Sequence, residues 1–224
     1  MQVTLWSWTK DGETVAMEAA TTCTRGKNGE RALEMAIKSG HESVLEHASM
    51  TFRIEGVSRA LLAQLTRHRI ASFSVESQRY CDLNEIPVVM PDSIKMDETV
   101  RAEWESVMAR IREFYRWATK ERGIPREDAR YLTPQAAETR LMLTMNAREL
   151  RHFFELRCCH RAQWEIQELA NAMLRICKEW WPRIFRDAGP GCARGRCPEE
   201  RPCGRPWKEK KHEESMDGEH DQNP

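Results

Sequence analysis

No run of apolar residues in this 224-residue chain approaches the ~20 needed to cross a bilayer, and no basic stretch leads into an apolar one near the start. Neither a membrane span nor a secretory leader is expected, and the chain reads as cytosolic. Net charge is absent too: 35 Lys plus Arg balance 35 Asp plus Glu. Bulk attraction to nucleic acid or to a membrane surface is therefore not expected. Glycine-rich phosphate loops are missing, which argues against an ATP-driven or Rossmann dinucleotide enzyme. No serine sits in a GxSxG elbow, and a hydrolase site has no support from that direction. Lysine is scarce, with 9 residues against 26 arginines. Guanidinium meets phosphate or carboxylate with two parallel hydrogen bonds, where ammonium acts as a point charge. A coding bias would produce the same excess, so it is the positions of the arginines that inform.

Hydrophobic residues at 40% and charged residues at 31% are ordinary for a globular protein. A chain of this length buries roughly 70% of its unfolded surface and needs no metal or disulfide to fold. One core plus an appendage is expected. Five of the eight cysteines, Cys23, Cys81, Cys158, Cys159 and Cys177, read as reduced core or near-core thiols. The other three, Cys192, Cys197 and Cys203, fall where composition shifts to Gly, Pro and alternating charge. Residues 188–224 are expected to be a flexible tail, since they have little apolar surface to offset ordering entropy. With no CxxC pair the tail is a weak zinc pattern, even with His212 as a fourth ligand, and no metal is assigned.

Alternation and caps outline the elements. Strands are expected over 3–8, over SMTFRIEG (49–56), from Ile70 onward in IASFSVESQRY, and over Thr139–Thr144. Helices are expected over Glu13–Thr24, over Glu30–Ser39 before Gly40, after a Ser58 cap, and over Glu98–Arg122 up to Gly123. Pro125 opens a short helix, and Cys81–Asp97 forms a loop. Asn146 with Glu149 three residues on is a cap signature for one long helix running towards Trp181, where Pro182 stops or kinks it.

Four groups of residues carry chemistry. In QLTRHRIASFSVESQRY, consecutive Arg67, His68 and Arg69 cannot share one helical face and must fan out, which suits a multi-part anion. Favourable interaction with the helix dipole is the plainer explanation for the three cations, though it leaves the following SxRY unaccounted for. In NARELRHFFELRCCHRAQWE, Arg148 and His152 share a face at i, i+4, and Arg157 lies half a revolution from Arg148. Surface ion pairing is the default for Arg151 and Arg161. Arg157 is flanked by Leu156 and two cysteines and reads as buried, so it needs an anion or hydrogen-bonding ligand. His41 and His47 in GHESVLEH are six apart, on different helical faces, which excludes an HExxH zinc site. They line a ligand pocket or form a polar network at a helix start. The Cys-rich tail is the fourth.

RHRIASFSVESQRY, with Arg67-His68-Arg69 seven residues before Ser77, resembles the signature of the flavin-dependent thymidylate synthases, the ThyX family. VTLWSWT…ETVAMEAATTC, GHESVLEH, PREDARYLTP and NARELRHFFELRCCHRAQWEIQ resemble the same family in the same order, over about residues 1–187. The resemblance implies an α+β fold, a mixed sheet with long helices in a single catalytic domain over 1–187, assembled as a homotetramer whose active sites draw on several subunits. It implies conversion of dUMP to dTMP, with methylenetetrahydrofolate giving the carbon, NADPH the hydride and FAD relaying it. Carried over residue by residue, FAD contacts fall on His41, Ser43, Arg67, His68, Arg69, Val75, Asn146, Arg148 and His152. dUMP contacts fall on Gln64, Arg67, Val75, Glu76, Ser77, Gln78, Arg79, Arg130 and Arg157, with Arg157 the catalytic group that polarises the pyrimidine. The chain departs from the family at Val75, where some members have Glu or Gln, so a contact there must use backbone atoms. It departs again at Arg161, where others have His. A non-catalytic nucleotide- or RNA-binding protein using the same arginines is the competing reading from another class.

Overall fold

The computed structural model describes residues 1–83, 85, 87–195 and 197–208. Its centre is a four-stranded sheet in the order β1-β2-β4-β3, formed by β1 (Gln2–Trp8), β2 (Ser49–Ser58), β3 (Ala71–Val75) and β4 (Glu138–Asn146). Every pairing is antiparallel. The α+β class with long helices is what the chain has, with an antiparallel sheet where a mixed one was expected. Period-two patterning sets its faces: Met50, Phe52 and Ile54 of β2 and Leu141, Leu143 and Met145 of β4 are buried on one side. On the other side Thr51 and Thr144 hydrogen bond to each other at 2.9 Å. The β2–β4 register slips between Ile54 and Val57, and Gly56 sits in that bulge at φ +70°, a conformation that glycine adopts at low cost.

Helices α1 (Gly12–Thr24) and α2 (Gly29–Lys38), the 3₁₀ turn Glu42–His47, and α3 (Arg59–Leu65) close one end of the core. Ser58 caps α3 by accepting from the Leu61 N–H at 3.0 Å. The same hydroxyl donates to the buried Glu165, whose other oxygen accepts from the Ser58 N–H at 2.7 Å. The long helix expected after Asn146 is two helices, α7 (Ala147–Arg157) and α8 (Trp164–Trp180). No glycine or proline marks the break. It is made by side chains: the Gln163 amide oxygen accepts from the N–H groups of Glu165 and Ile166, and Gln167 Nε2 donates to the carbonyls of Cys158 and Cys159. Free backbone groups at both new ends are thereby satisfied. Phe153, Phe154, Ile166, Leu169, Met173 and Leu174 of these helices pack into the core beneath the sheet.

Between β3 and β4 the chain leaves the core as an arm. It carries α4 (Asp92–Lys95), α5 (Glu98–Arg116) with a π turn over Trp117–Glu121, and α6 (Arg126–Ala129) running into the 3₁₀ turn Arg130–Leu132. A small second cluster of Leu83, Tyr115, Ala129 and Ala137 holds it. The apolar stripe of α5 is only partly covered, and Val100, Phe114 and Trp117 remain exposed.

α9 (Pro182–Phe185) follows α8, and beyond it the chain has more structure than its composition suggests. A 3₁₀ turn spans Gly191–Arg194, and Trp207 packs against the core and donates to Asn171 Oδ1 at 3.0 Å. Arg161 pairs with Glu199 and donates to the Arg201 carbonyl. One tryptophan and a few arginine contacts supply what the low apolar content of the segment does not. His212 and the rest of the chain from residue 209 lie outside the described residues. Cys158 and Cys177 are buried thiols as expected, whereas Cys23 is exposed on the last turns of α1.

Candidate active site

The turn after α3 meets α7 through His68, which contacts both Glu149 and Arg157. The turn after α3 carries Arg67, His68 and Arg69, and these do fan out: His68 is buried, while Arg67 and Arg69 are exposed. The His68 ring stands edge-on to Phe153 with centroids 5.0 Å apart. Its Nδ1 lies 3.1 Å from a carboxylate oxygen of the buried Glu149, and its Nε2 accepts from Arg157 Nε at 3.1 Å. An arginine nitrogen only donates, so Nε2 carries no proton and the ring is the Nδ1–H tautomer. Burial pushes the imidazole below its ordinary value, against the pull of the Glu149 hydrogen bond and with the help of the Arg157 charge. His68 is a neutral bridge between Glu149 and Arg157, with both ring nitrogens in contact with them.

Glu149 explains a half-realised cap. Asn146 Oδ1 accepts from the Glu149 N–H at 2.9 Å, as the cap signature predicts. The carboxylate, however, goes to His68 and not back along its own helix. Arg157 is half-buried, and burial lowers its affinity for the proton. Among the described residues it has no carboxylate partner.

Adjoining this group lies a cleft of about 780 Å³ lined by Asn146, Arg148, Glu149 and His152 of α7 together with Glu46, Ile70 and Arg194, and the His152 ring stands 5.9 Å from that of His68. Gly40 and Glu42, either side of His41, line it as well. Arg148 is paired with Glu46 of the 3₁₀ turn. Arg151 also lines this cleft and is buried, not the surface partner expected from sequence. Its guanidinium donates to Glu42, to both oxygens of Asp187 and to the Ile184 carbonyl. Ser43 faces away, into a hollow of about 740 Å³ beside α1 with Lys10, Asp11 and Cys23.

A third group lies past β3. That strand ends at Val75, sooner than the alternation suggested, because Ser77 begins a turn. Its hydroxyl accepts from the Arg79 N–H at 3.2 Å, and its carbonyl accepts from the N–H of Cys81 at 3.0 Å. No base contacts the Ser77 hydroxyl among the described residues, which leaves nothing to activate it as a nucleophile. Glu76 pairs with Arg140, and Val75 is half-buried at the strand end. Arg79 pairs with Glu127, whose carbonyl accepts from Arg130 Nε at 3.1 Å. Arg59, unremarked in the sequence, donates to the Glu76 carbonyl, and its proton affinity is lowered by burial and by nearby Arg130. Gln78 is buried with its amide nitrogen unpartnered among the described residues, and Gln64 makes only a long 3.4 Å bond to the Ala60 carbonyl. Two arginines, a free amide and a hydroxyl in one turn region suit a phosphorylated, hydrogen-bonding ligand.

Sequence reasoning missed Glu149 as more than a cap, and it missed Arg59 and Arg194. Only the capping spacing pointed at Glu149, and it gave the wrong partner. Cys159, Cys192, Cys197 and Cys203 line one small hollow of about 130 Å³. Among the described residues no three His, Cys, Asp or Glu side chains are grouped to hold a metal ion.

Comparison with known proteins bears on all of these groups. The family described as "Thymidylate synthase complementing protein" matches residues 4–183. A flavin-dependent thymidylate synthase of Geobacter sulfurreducens is 56% identical over 169 residues, 75% of this chain and 72% of that protein. One of Clostridium tetani is 39% identical over 94% of this chain and 96% of its own length. Among solved structures, the flavin-dependent thymidylate synthase ThyX of Helicobacter pylori, complexed with FAD and dUMP, matches with a TM-score of 0.66 at 29% identity. That match covers 84% of this chain and 100% of the other.

Proposed function

We propose how this chain, which belongs to the flavin-dependent thymidylate synthase family and makes dTMP from dUMP with FAD, divides that work among its residues. The catalytic unit is residues 1–187, with 188–224 an appendage. The nucleotide lies beside Arg157, with Arg79 and Arg130 on its phosphate and Gln64, Glu76, Ser77, Gln78 and the Val75 backbone along its length. The flavin takes the adjoining cleft on α7, held by Asn146, Arg148 and His152, with Arg67, Arg69, His41 and Ser43 completing its surroundings. His68, matched to the family's flavin contacts, acts from behind through Arg157.

The donor set fits FAD. Arg148, Arg194 and Lys38 line the cleft on α7, paired at the surface with Glu46, Glu155 and Glu34; such exposed pairs are weak and yield to a pyrophosphate, which guanidinium meets bidentately. When bound, FAD supplies the hydride that NADPH provides. The chain's residues prepare dUMP for it. Negative charge must develop on the pyrimidine ring when its carbon 6 accepts a hydride. A guanidinium held at the ring edge in a water-poor site stabilises that charge by about 3 kcal/mol. Arg79 is paired with an exposed carboxylate, and such a pair is worth less than about 1 kcal/mol, so it yields readily to a phosphate. Binding energy gained at the phosphate orients the ring.

The observation that carries this reading is Arg157: half-buried, with one neutral partner and no counter-anion among the described residues. Ser43 lines a different hollow from Arg148 and His152 within one chain, and Trp6, Phe114, Trp117 and Tyr131 are exposed. Both support a homotetramer in which a site draws on more than one copy. Among the described residues no helix is long and apolar enough to cross a membrane. The test is tritium release from dUMP labelled on the ring, with FAD, NADPH and methylenetetrahydrofolate. A yellow protein that releases tritium only when all are present is expected. A colourless protein that binds nucleotides without release is the outcome that favours the non-catalytic alternative.

A further inference from the structure

Arg157 has five N–H donors and must present some of them to the substrate in a fixed direction. Its Nε–H is already taken by His68 Nε2, and the His68 ring is itself fixed by Glu149 at Nδ1 and by the edge of Phe153. Glu149 and His68 are both buried, with 7% and 4% of their surface accessible. Glu149 and Arg157 lie eight residues apart on α7, so they cannot meet directly across one helical turn. The imidazole, arriving from the turn after α3, spans the gap between them.

We propose that Glu149 and His68 are positioning residues for Arg157, the carboxylate fixing the imidazole as its Nδ1–H tautomer and the Nε2 lone pair anchoring the guanidinium. This rests on the reading of Arg157 as the group that polarises the pyrimidine. Anchoring at Nε leaves both Nη groups, with four N–H donors, for the nucleotide. It also restricts the rotation that a half-exposed arginine otherwise retains, and that freedom is costly to lose at the moment of reaction.

The arrangement has a pH signature. A proton on Nε2 removes the acceptor and sets a cation against Arg157, so the anchor fails as the imidazole is protonated. The charged or titratable groups facing the ring are Glu149 and Arg157, both in contact, and His152, with ring centroids 5.9 Å apart. Burial keeps the imidazole below its ordinary 6.5, Glu149 pulls it up, and Arg157 and His152 push it down. Turnover should therefore fall on the acid side, below about pH 6.5. Removing the Glu149 charge should move that fall to still lower pH, because the upward pull of the carboxylate is weakened. Damage to packing has no reason to widen the working range towards acid.

The experiment uses the FAD-loaded enzyme and tritium release as a function of pH and dUMP concentration, for wild type, E149Q, H68L, H68Q and R157A. Expected are an acid limb in kcat that shifts to lower pH in E149Q, and a loss of kcat of about tenfold or more in H68L with a smaller change in KM for dUMP. Partial recovery is expected in H68Q, whose amide oxygen restores an acceptor, without the acid limb. The positioning role is overturned if R157A loses turnover while H68L keeps it, or if E149Q leaves the acid limb in place. Turnover retained in R157A overturns the reading of Arg157 itself, and the proposal with it. Should H68L not fold, nitrogen-15 NMR of the wild-type imidazole decides: a neutral ring with its proton on Nδ1 at pH 7 is expected, and a proton on Nε2 overturns the proposal.

Discussion

Arg151 and Arg157 sit on the same helix, both at least half out of water, in opposite electrostatic states. Around Arg151, Glu42, Asp187 and the Ile184 carbonyl take up its donors. Around Arg157 there is one neutral imidazole. The first region has its charge answered within the chain, so it locks α7 to α9 and to the 3₁₀ turn. The second leaves charge unanswered at a place where leaving it so is unfavourable, and a protein keeps such a place for a ligand. Burial alone does not separate structure from function here; satisfaction of the buried group does.

The sharpest way to test that contrast is R157A. Turnover should fall by about 10²–10³, with FAD still bound and the denaturant midpoint unchanged or slightly raised. A loss of FAD, restored by excess flavin, would mean that the two faces of α7 are assigned the wrong way round. R151A should do the reverse. It leaves two partly exposed carboxylates and the Ile184 carbonyl without their donor, and urea unfolding should show a loss of about 1.5–3 kcal/mol.

Acid should reach the same region without mutation. Burial raises the Asp187 carboxyl, but the hydrogen bond and charge of Arg151 outweigh it and leave the group below its ordinary 3.8. Its folded value is depressed, so its contribution to stability is complete above that value and is lost as pH falls through the lower, folded one. In R151A that part of the acid dependence should vanish. The smallest effect is expected for R79A. Its exposed pair with Glu127 contributes under about 1 kcal/mol to stability, while KM for dUMP should rise about tenfold through loss of a phosphate contact. A comparable loss of stability would place Arg79 with Arg151 and not with Arg157.

Much of the fold was legible because its signals are local. The alternation of Met50, Phe52 and Ile54 marks β2, Ser58 and Asn146 each cap the helix they precede, and Gly123 follows the end of the α5 segment with φ +67°. The break between α7 and α8 was not legible, since it depends on glutamine side chains finding particular backbone groups. Docking of residues 189–195 and 197–208 was missed for a similar reason: one tryptophan and a few arginine contacts decide it, and composition averages those away.

The candidate site divides in the same way. Sequence by itself determined which residue types stand at Arg67–Arg69, Ser77–Arg79 and Asn146–Arg157, and the half-revolution from Arg148 to Arg157 that puts them on two faces of one helix, since helical geometry follows from spacing. Only the tertiary structure decided that His68 turns inward while its neighbours turn out, and that it joins Glu149 to Arg157 across 81 and 89 residues of chain. Contacts at such separation depend on how the sheet and helices pack, and no local pattern encodes them.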